Sequence, residues 1–122
     1  MTPALRLSAV VIPCRDLSRQ RGFYERVLER APSEARTGFV RFDLDTLSLA
    51  LRARGDALFP REGQAGVMLT FRLDGADEVE RWHRRLLMAH VAVLEPPTRL
   101  PSGEWSLHVA DPEGNVLCLL AG

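Results

Sequence analysis

The sequence predicts an α+β protein built from two successive modules, each a strand, a helix and further strands. Three observations carry this. Leu5 to Pro13 reads as a strand leading into a helix, and after a polar stretch the same order restarts at Val67. Phe39–Leu44 and Leu47–Arg52 alternate apolar and polar residues with the period of half-buried strands. Trp105–Ala110 and Val116–Leu120 flank Asp111-Pro-Glu-Gly-Asn115, a hairpin signal in which Pro112 fixes φ and Gly114 accepts positive φ.

In the first module Asp16 or Ser18 caps a helix that runs to about Arg30, with Phe23, Val27, Tyr24 and Leu28 on its buried side and Pro32 as its stop. Ser33–Arg36 is a short edge strand, and Asp45-Thr46 joins the two alternating strands. Residues 54–64 carry Gly55, Pro60 and Gly63 and read as a linker, so module one covers about 5–54 and module two about 65–122 of a single 122-residue domain. In module two Val67–Leu73 is a strand, and Asp74-Gly75 opens a helix to about Ala89 with Val79, Trp82 and Leu86 as its inner stripe. Val91–Leu94 is a short strand, with Pro96-Pro97 beginning a loop to Gly103. Half a chain of this size has little core of its own. The two sheets are therefore expected to join, within the chain or across a dimer, with helices outside and a concave inner face.

Composition excludes several classes. The apolar fraction is 46% and the charged fraction 26%, ordinary for a globular protein. Sixteen basic residues, all Arg, balance sixteen acidic ones, so nothing favours nucleic acid or an anionic membrane as partner. No apolar run approaches a membrane span, and no signal peptide is evident at the start. Cys14 and Cys118 read as reduced thiols of a cytoplasmic protein.

The run Val10-Val-Ile-Pro-Cys-Arg-Asp-Leu17, the pairs Phe23-Tyr24 and Val27-Leu28, the strand Val67-Met-Leu-Thr-Phe71 and the turn Asp111-Pro-Glu-Gly-Asn115 together resemble the vicinal oxygen chelate superfamily. This superfamily includes glyoxalase I, extradiol dioxygenases, fosfomycin resistance enzymes and bleomycin resistance proteins. The resemblance implies two βαβββ modules forming a cup-shaped mixed sheet with helices outside, and a homodimer. Its enzymes hold a divalent metal through His, Glu or Gln on strand positions facing the cup. Here those positions fall on Ala9, on Ser48 or Ala50, on Met68 and on Cys118. Ala and Met are not ligands for a hard metal, and one thiol is a poor one. His83 is placed on the outer face of the second helix, His90 at its end, and His108 toward the cup.

The resemblance is therefore closest in type to the metal-free bleomycin resistance proteins, with Ser8-Ala9-Val10 followed by Arg15-Asp16 as further carriers. It implies a small-molecule binding protein that sequesters a hydrophobic or aromatic compound, such as an antibiotic. No cofactor, metal or catalytic residue is expected. The alternative is a divalent-metal-dependent glyoxalase-like lyase or isomerase, or a dioxygenase. Strand parity and the resemblance line the cup with Val11, Ser48, Ala50, Met68, Thr70, Ser106, His108, Val116 and Cys118. Trp105 is placed at the mouth of the hairpin as a further contact, although parity sets it with Leu107. His108 either meets a ligand or bonds a neighbour. Arg41, Asp43 and Arg52 either rim the cup or face solvent.

Overall fold

The computed structural model describes residues 6–64 and 66–122. It divides into two compact units between Gly63 and Gln64. Each unit is a four-stranded mixed sheet with one helix, so the α+β class and the two repeated modules are both present. The expected start of the first strand at Leu5 lies outside the described residues.

In module one β1 (Ala9–Cys14) runs parallel to β4 (Ser48–Ala53), and β3 (Phe39–Asp43) and β2 (Glu34–Arg36) follow antiparallel, giving the order β1-β4-β3-β2. Alternation sends Ile12, Cys14, Val40, Phe42, Leu49 and Leu51 to one face, where all are buried. Helix α1 (Leu17–Leu28) supplies Phe23, Tyr24 and Val27 to that core, with the Phe23 and Tyr24 rings edge-to-face at 5.0 Å. Gln20 is buried on the same side, although its amide gave no such signal in the sequence. The cap is Asp16, whose Oδ1 accepts the Arg19 N–H at 3.0 Å. The helix ends earlier than Pro32 requires, because Glu29 turns left-handed at φ 54°.

In module two β5 (Met68–Arg72) is parallel to β8 (Val116–Ala121), and β7 (Trp105–Ala110) and β6 (Ala92–Arg99) complete the order β5-β8-β7-β6. Leu107, Val109, Leu117, Leu119 and Ala121 form the core face, on which helix α2 (Ala76–Met88) sets Val79 and Leu86. The helix closes with a Schellman motif. His90 takes φ 60°, its N–H donates to Leu87 O at 3.1 Å, and the Val91 N–H donates to Leu86 O at 3.0 Å.

Three expectations are corrected in this module. The short strand at Val91–Leu94 extends through Pro96-Pro97 to Arg99. Strand β6 is the sheet edge, and its register with β7 shifts between Val93 and Glu95 and again between Glu95 and Thr98, so the missing proline N–H groups interrupt no interior ladder. His83 does not sit on the outer face of its helix. It lies four residues after Val79 and three before Leu86, and its side chain is only 19% exposed. Trp82 is half-buried at the edge of that stripe, with the Arg85 guanidinium 4.7 Å over its ring.

The stretch 54–63, read as a linker, folds back onto module one. The Gly55 N–H donates to Phe59 O at 2.8 Å, the Phe59 N–H to Asp56 Oδ1 at 2.8 Å, and Arg54 to Pro60 O at 3.3 Å. Arg52 on β4 pairs with Asp56 and lies over the Phe59 ring at 5.4 Å.

Candidate functional site

The terminal hairpin positions the site in module two. Asp111 Oδ1 accepts the N–H groups of Glu113 and Asn115 at 2.9 Å each, and the Asn115 amide donates to Asp111 Oδ2 at 2.8 Å. The same amide's Oδ1 accepts the Val67 N–H at 3.1 Å, which ties the turn to the approach of β5. Gly114 takes φ +91°, a conformation that side chains other than glycine's rarely adopt. This turn fixes the β7–β8 register, and the register fixes which side chains share the face turned away from α2.

On that face one row of residues crosses all four strands. Thr70 pairs with Cys118, Cys118 with His108, and His108 with Glu95. Ser106 follows on the same side of β7, and Met68 on the same side of β5 is 60% exposed. Five of the expected site residues, Met68, Thr70, Ser106, His108 and Cys118, are thus gathered on one surface. Trp105 is not among them. It pairs with Ala121 at the strand end, alternates to the helix side with Leu107, and is 36% exposed.

The chemistry of the row is polar but quiet. Burial pushes the Cys118 thiol above its usual range, a hydrogen bond with Thr70 opposes this, and the Glu95 carboxylate adds to the rise. A thiol held protonated is a weak nucleophile. Ser106 is 1% exposed, and its Oγ has no hydrogen-bond partner among the described residues; the same is true of the buried Nδ1 of His108. Each such orphaned atom costs about 1–3 kcal/mol unless something meets it.

Module one has its own face opposite the helix. Val11 pairs with Ala50 and Ala50 with Arg41, while Ala9 pairs with Ser48 and Ser48 with Asp43. Val11, Ser48 and Ala50 therefore share one surface with Arg41, Asp43 and Arg52, the three charges whose side the sequence left open. Ser48 Oγ donates to Asp43 Oδ1 at 2.7 Å, and Arg41 reaches both Asp43, at 2.9 Å, and Glu34. The Ser48 hydroxyl and then Arg41 hold the Asp43 carboxyl below its ordinary range, and the bond to Asp43 raises Arg41. Beside this network lies a pocket of about 590 Å³, between the strands and the folded-back stretch, whose walls include Val11, Phe39, Leu58 and Phe59. The sequence reading missed it because its outer wall is built from residues that look like a linker.

The family model described as Glyoxalase/Bleomycin resistance protein/Dioxygenase superfamily matches residues 6–119. The chain belongs to this superfamily. Solved members share the fold at low identity. A lactoylglutathione lyase from Agrobacterium tumefaciens superposes with TM-score 0.81 at 23% identity, covering 99% of this chain and 96% of that one. A glyoxalase/bleomycin resistance protein/dioxygenase from Nocardioides gives TM-score 0.85 at 22% identity, with 99% and 85% covered. A family enzyme from Burkholderia phytofirmans PsJN gives 0.83 at 21%, with 96% and 98% covered. No curated protein matches.

The superfamily's metal positions can be tested against the side chains in place. Ala9 offers no donor, and the Ser48 hydroxyl is committed to Asp43. Met68 carries a thioether, a poor ligand for a hard divalent ion, and Cys118 offers a single thiol. Among the described residues of either module, no three His, Cys, Asp or Glu side chains form a group able to hold a metal ion. These residues do not fit the divalent ion of the superfamily's enzymes. Among the described residues no helix is long and apolar enough to cross a membrane.

Proposed function

We propose that this superfamily member is a metal-free binding protein that sequesters a small hydrophobic or aromatic compound, an antibiotic being one chemical instance. The observation that carries the reading is that, on the face bearing Thr70, Ser106 and His108, the superfamily's metal positions hold Met68 and Cys118. Small-molecule sites are mostly apolar with a few fixed polar groups. Thr70, Ser106 and His108 supply the polar groups, and Met68 supplies polarizable apolar surface. In module one, Val11 lines the pocket beside the folded-back stretch. The working assembly is a homodimer, as the resemblance implies.

A thermal-shift screen of aromatic drugs against the wild type, Ser106→Ala and His108→Ala tests the reading. A compound present at about a hundredfold its Kd stabilises by about 2.7 kcal/mol, which moves Tm by several degrees. At least one compound is expected to shift the wild type and to shift both variants less. No shift with any compound overturns the reading.

A further inference from the structure

The pocket of module one carries a ligand chemistry of its own. Its chemistry comes from one row of side chains on the face opposite α1. Arg36 on β2 pairs with Phe39 on β3, and Phe39 pairs with Arg52 on β4. Neighbouring strands lie about 4.8 Å apart, so the two arginine backbones flank Phe39 across roughly 10 Å. Arg36 lays its guanidinium over the Phe39 ring at 4.3 Å. Arg52 is aimed by two groups of the folded-back stretch, the Asp56 carboxylate and the Phe59 ring. Arg36, Phe39, Arg52, Asp56 and Phe59 all line the pocket.

Two features of this arrangement point to a ligand class. A guanidinium stacked by its face on an aromatic ring keeps its in-plane N–H donors for another partner, and those donors match a carboxylate. For Arg36 the nearest carboxylate is Glu34, at 3.8 Å from Nε, and the other Glu34 oxygen is taken by Arg41. Asp56 is held ionised first by the Phe59 N–H, so within the lining two guanidiniums face a single carboxylate. Glu34, outside the lining, meets Arg36 only at 3.8 Å, too long for a hydrogen bond, so the Arg36 N–H donors beside the Phe39 ring can take a further carboxylate. The volume of about 590 Å³ suits a compact organic molecule.

We infer that this pocket binds a small aromatic carboxylate, its acid group held between Arg36 and Arg52 and its ring packed against Phe39, Phe59 and Leu58. The inference rests on the reading that the chain binds a small molecule, and it gives module one a site and ligand class of its own, with a lining that includes neither Ser106 nor His108. It also gives the 54–63 stretch a purpose: Asp56 and Phe59 set the Arg52 rotamer before a ligand arrives.

The test is calorimetric titration of the full chain with 2-naphthoate and its uncharged analogue 2-naphthamide. The wild type is expected to bind the carboxylate about tenfold or more tightly than the amide, as a charge-assisted bidentate contact requires. Arg36→Met and Arg52→Met should each remove that preference while retaining amide binding, which shows that the variants are folded. Phe59→Ala should weaken both probes. Arg81→Met, which deletes an exposed arginine of α2, should change neither. Equal affinity for the two probes, or a carboxylate preference that survives both arginine variants, overturns the inference and leaves the binding reading standing. Failure of both probes to bind the wild type also overturns it. The broader reading falls with it only if the aromatic drug panel fails as well.

Discussion

Asp111 and Asn115 form a closed pair at the tip of the terminal hairpin: Asp111 Oδ1 accepts the Asn115 backbone N–H at 2.9 Å, and Asp111 Oδ2 accepts the Asn115 side-chain amide at 2.8 Å. Both residues are buried. Removing the carboxylate strands several donors inside the turn and loosens the register that places Ser106, His108 and Cys118. Asp111→Ala should therefore destabilise the protein by about 2–4 kcal/mol, read by urea unfolding. A loss below about 0.5 kcal/mol, the ordinary scale of a surface substitution, would show that the turn does not hold the sheet.

His90 is the left-handed residue of the Schellman motif that ends α2. A side chain in that conformation costs roughly 1–2 kcal/mol relative to glycine, part of which glycine gives back as extra freedom in the unfolded chain. His90→Gly should raise stability by about 0.5–1 kcal/mol in the same assay. A drop in stability would show that the imidazole makes a contact that matters more than the backbone angle.

The Cys118 thiol is pushed up by burial. In the folded state it keeps its proton at pH values where a free cysteine has begun to lose it. Alkylation followed by mass spectrometry at Cys118 should be slower than for a free cysteine near pH 8, with a rate still climbing at higher pH. The linkage has a defined sign. The folded state binds the proton more tightly than the unfolded state, so this group's contribution is complete below the unfolded pKa and is lost as pH rises through the folded one. Rapid alkylation at neutral pH would mean a stabilised thiolate, and would reopen nucleophilic chemistry at this residue.

Asp43 titrates in the opposite sense. The Ser48 hydroxyl and Arg41 hold its carboxyl below the ordinary aspartate value of 3.8. Its stabilising contribution is present above that value and is lost as pH falls through the lower, folded one. Carboxyl NMR should place the Asp43 midpoint below 3.8 in the wild type, and Ser48→Ala should move it back up. An unmoved midpoint would remove Ser48 from the network.

Much of this architecture is legible in the sequence because periodicity reports burial. The alternation in Phe39–Leu44 and Leu47–Arg52 and the turn at 111–115 locate strands of both modules, and Asp16 marks the start of α1. The failures have local causes. Pro96-Pro97 reads as a loop, because proline cannot serve an interior ladder, yet an edge strand with shifted register tolerates it. His83 reads as surface because a polar side chain on an amphipathic helix usually is. The stretch 54–63 reads as a linker by composition, whereas its hydrogen bonds to itself and its Arg52 contacts depend on where β4 delivers that arginine. No periodicity encodes a contact of that kind. The site residues behave similarly. Parity groups Ser106 with His108, but that their buried atoms lack partners among the described residues emerges only from three-dimensional packing.

The proposed metal-free function sets a direct demand on the metal content of the protein. Protein purified without chelators should contain far less than one Zn, Ni, Mn or Fe per chain when measured by inductively coupled plasma mass spectrometry. One equivalent of any of these ions, retained through dialysis, would contradict the metal-free reading.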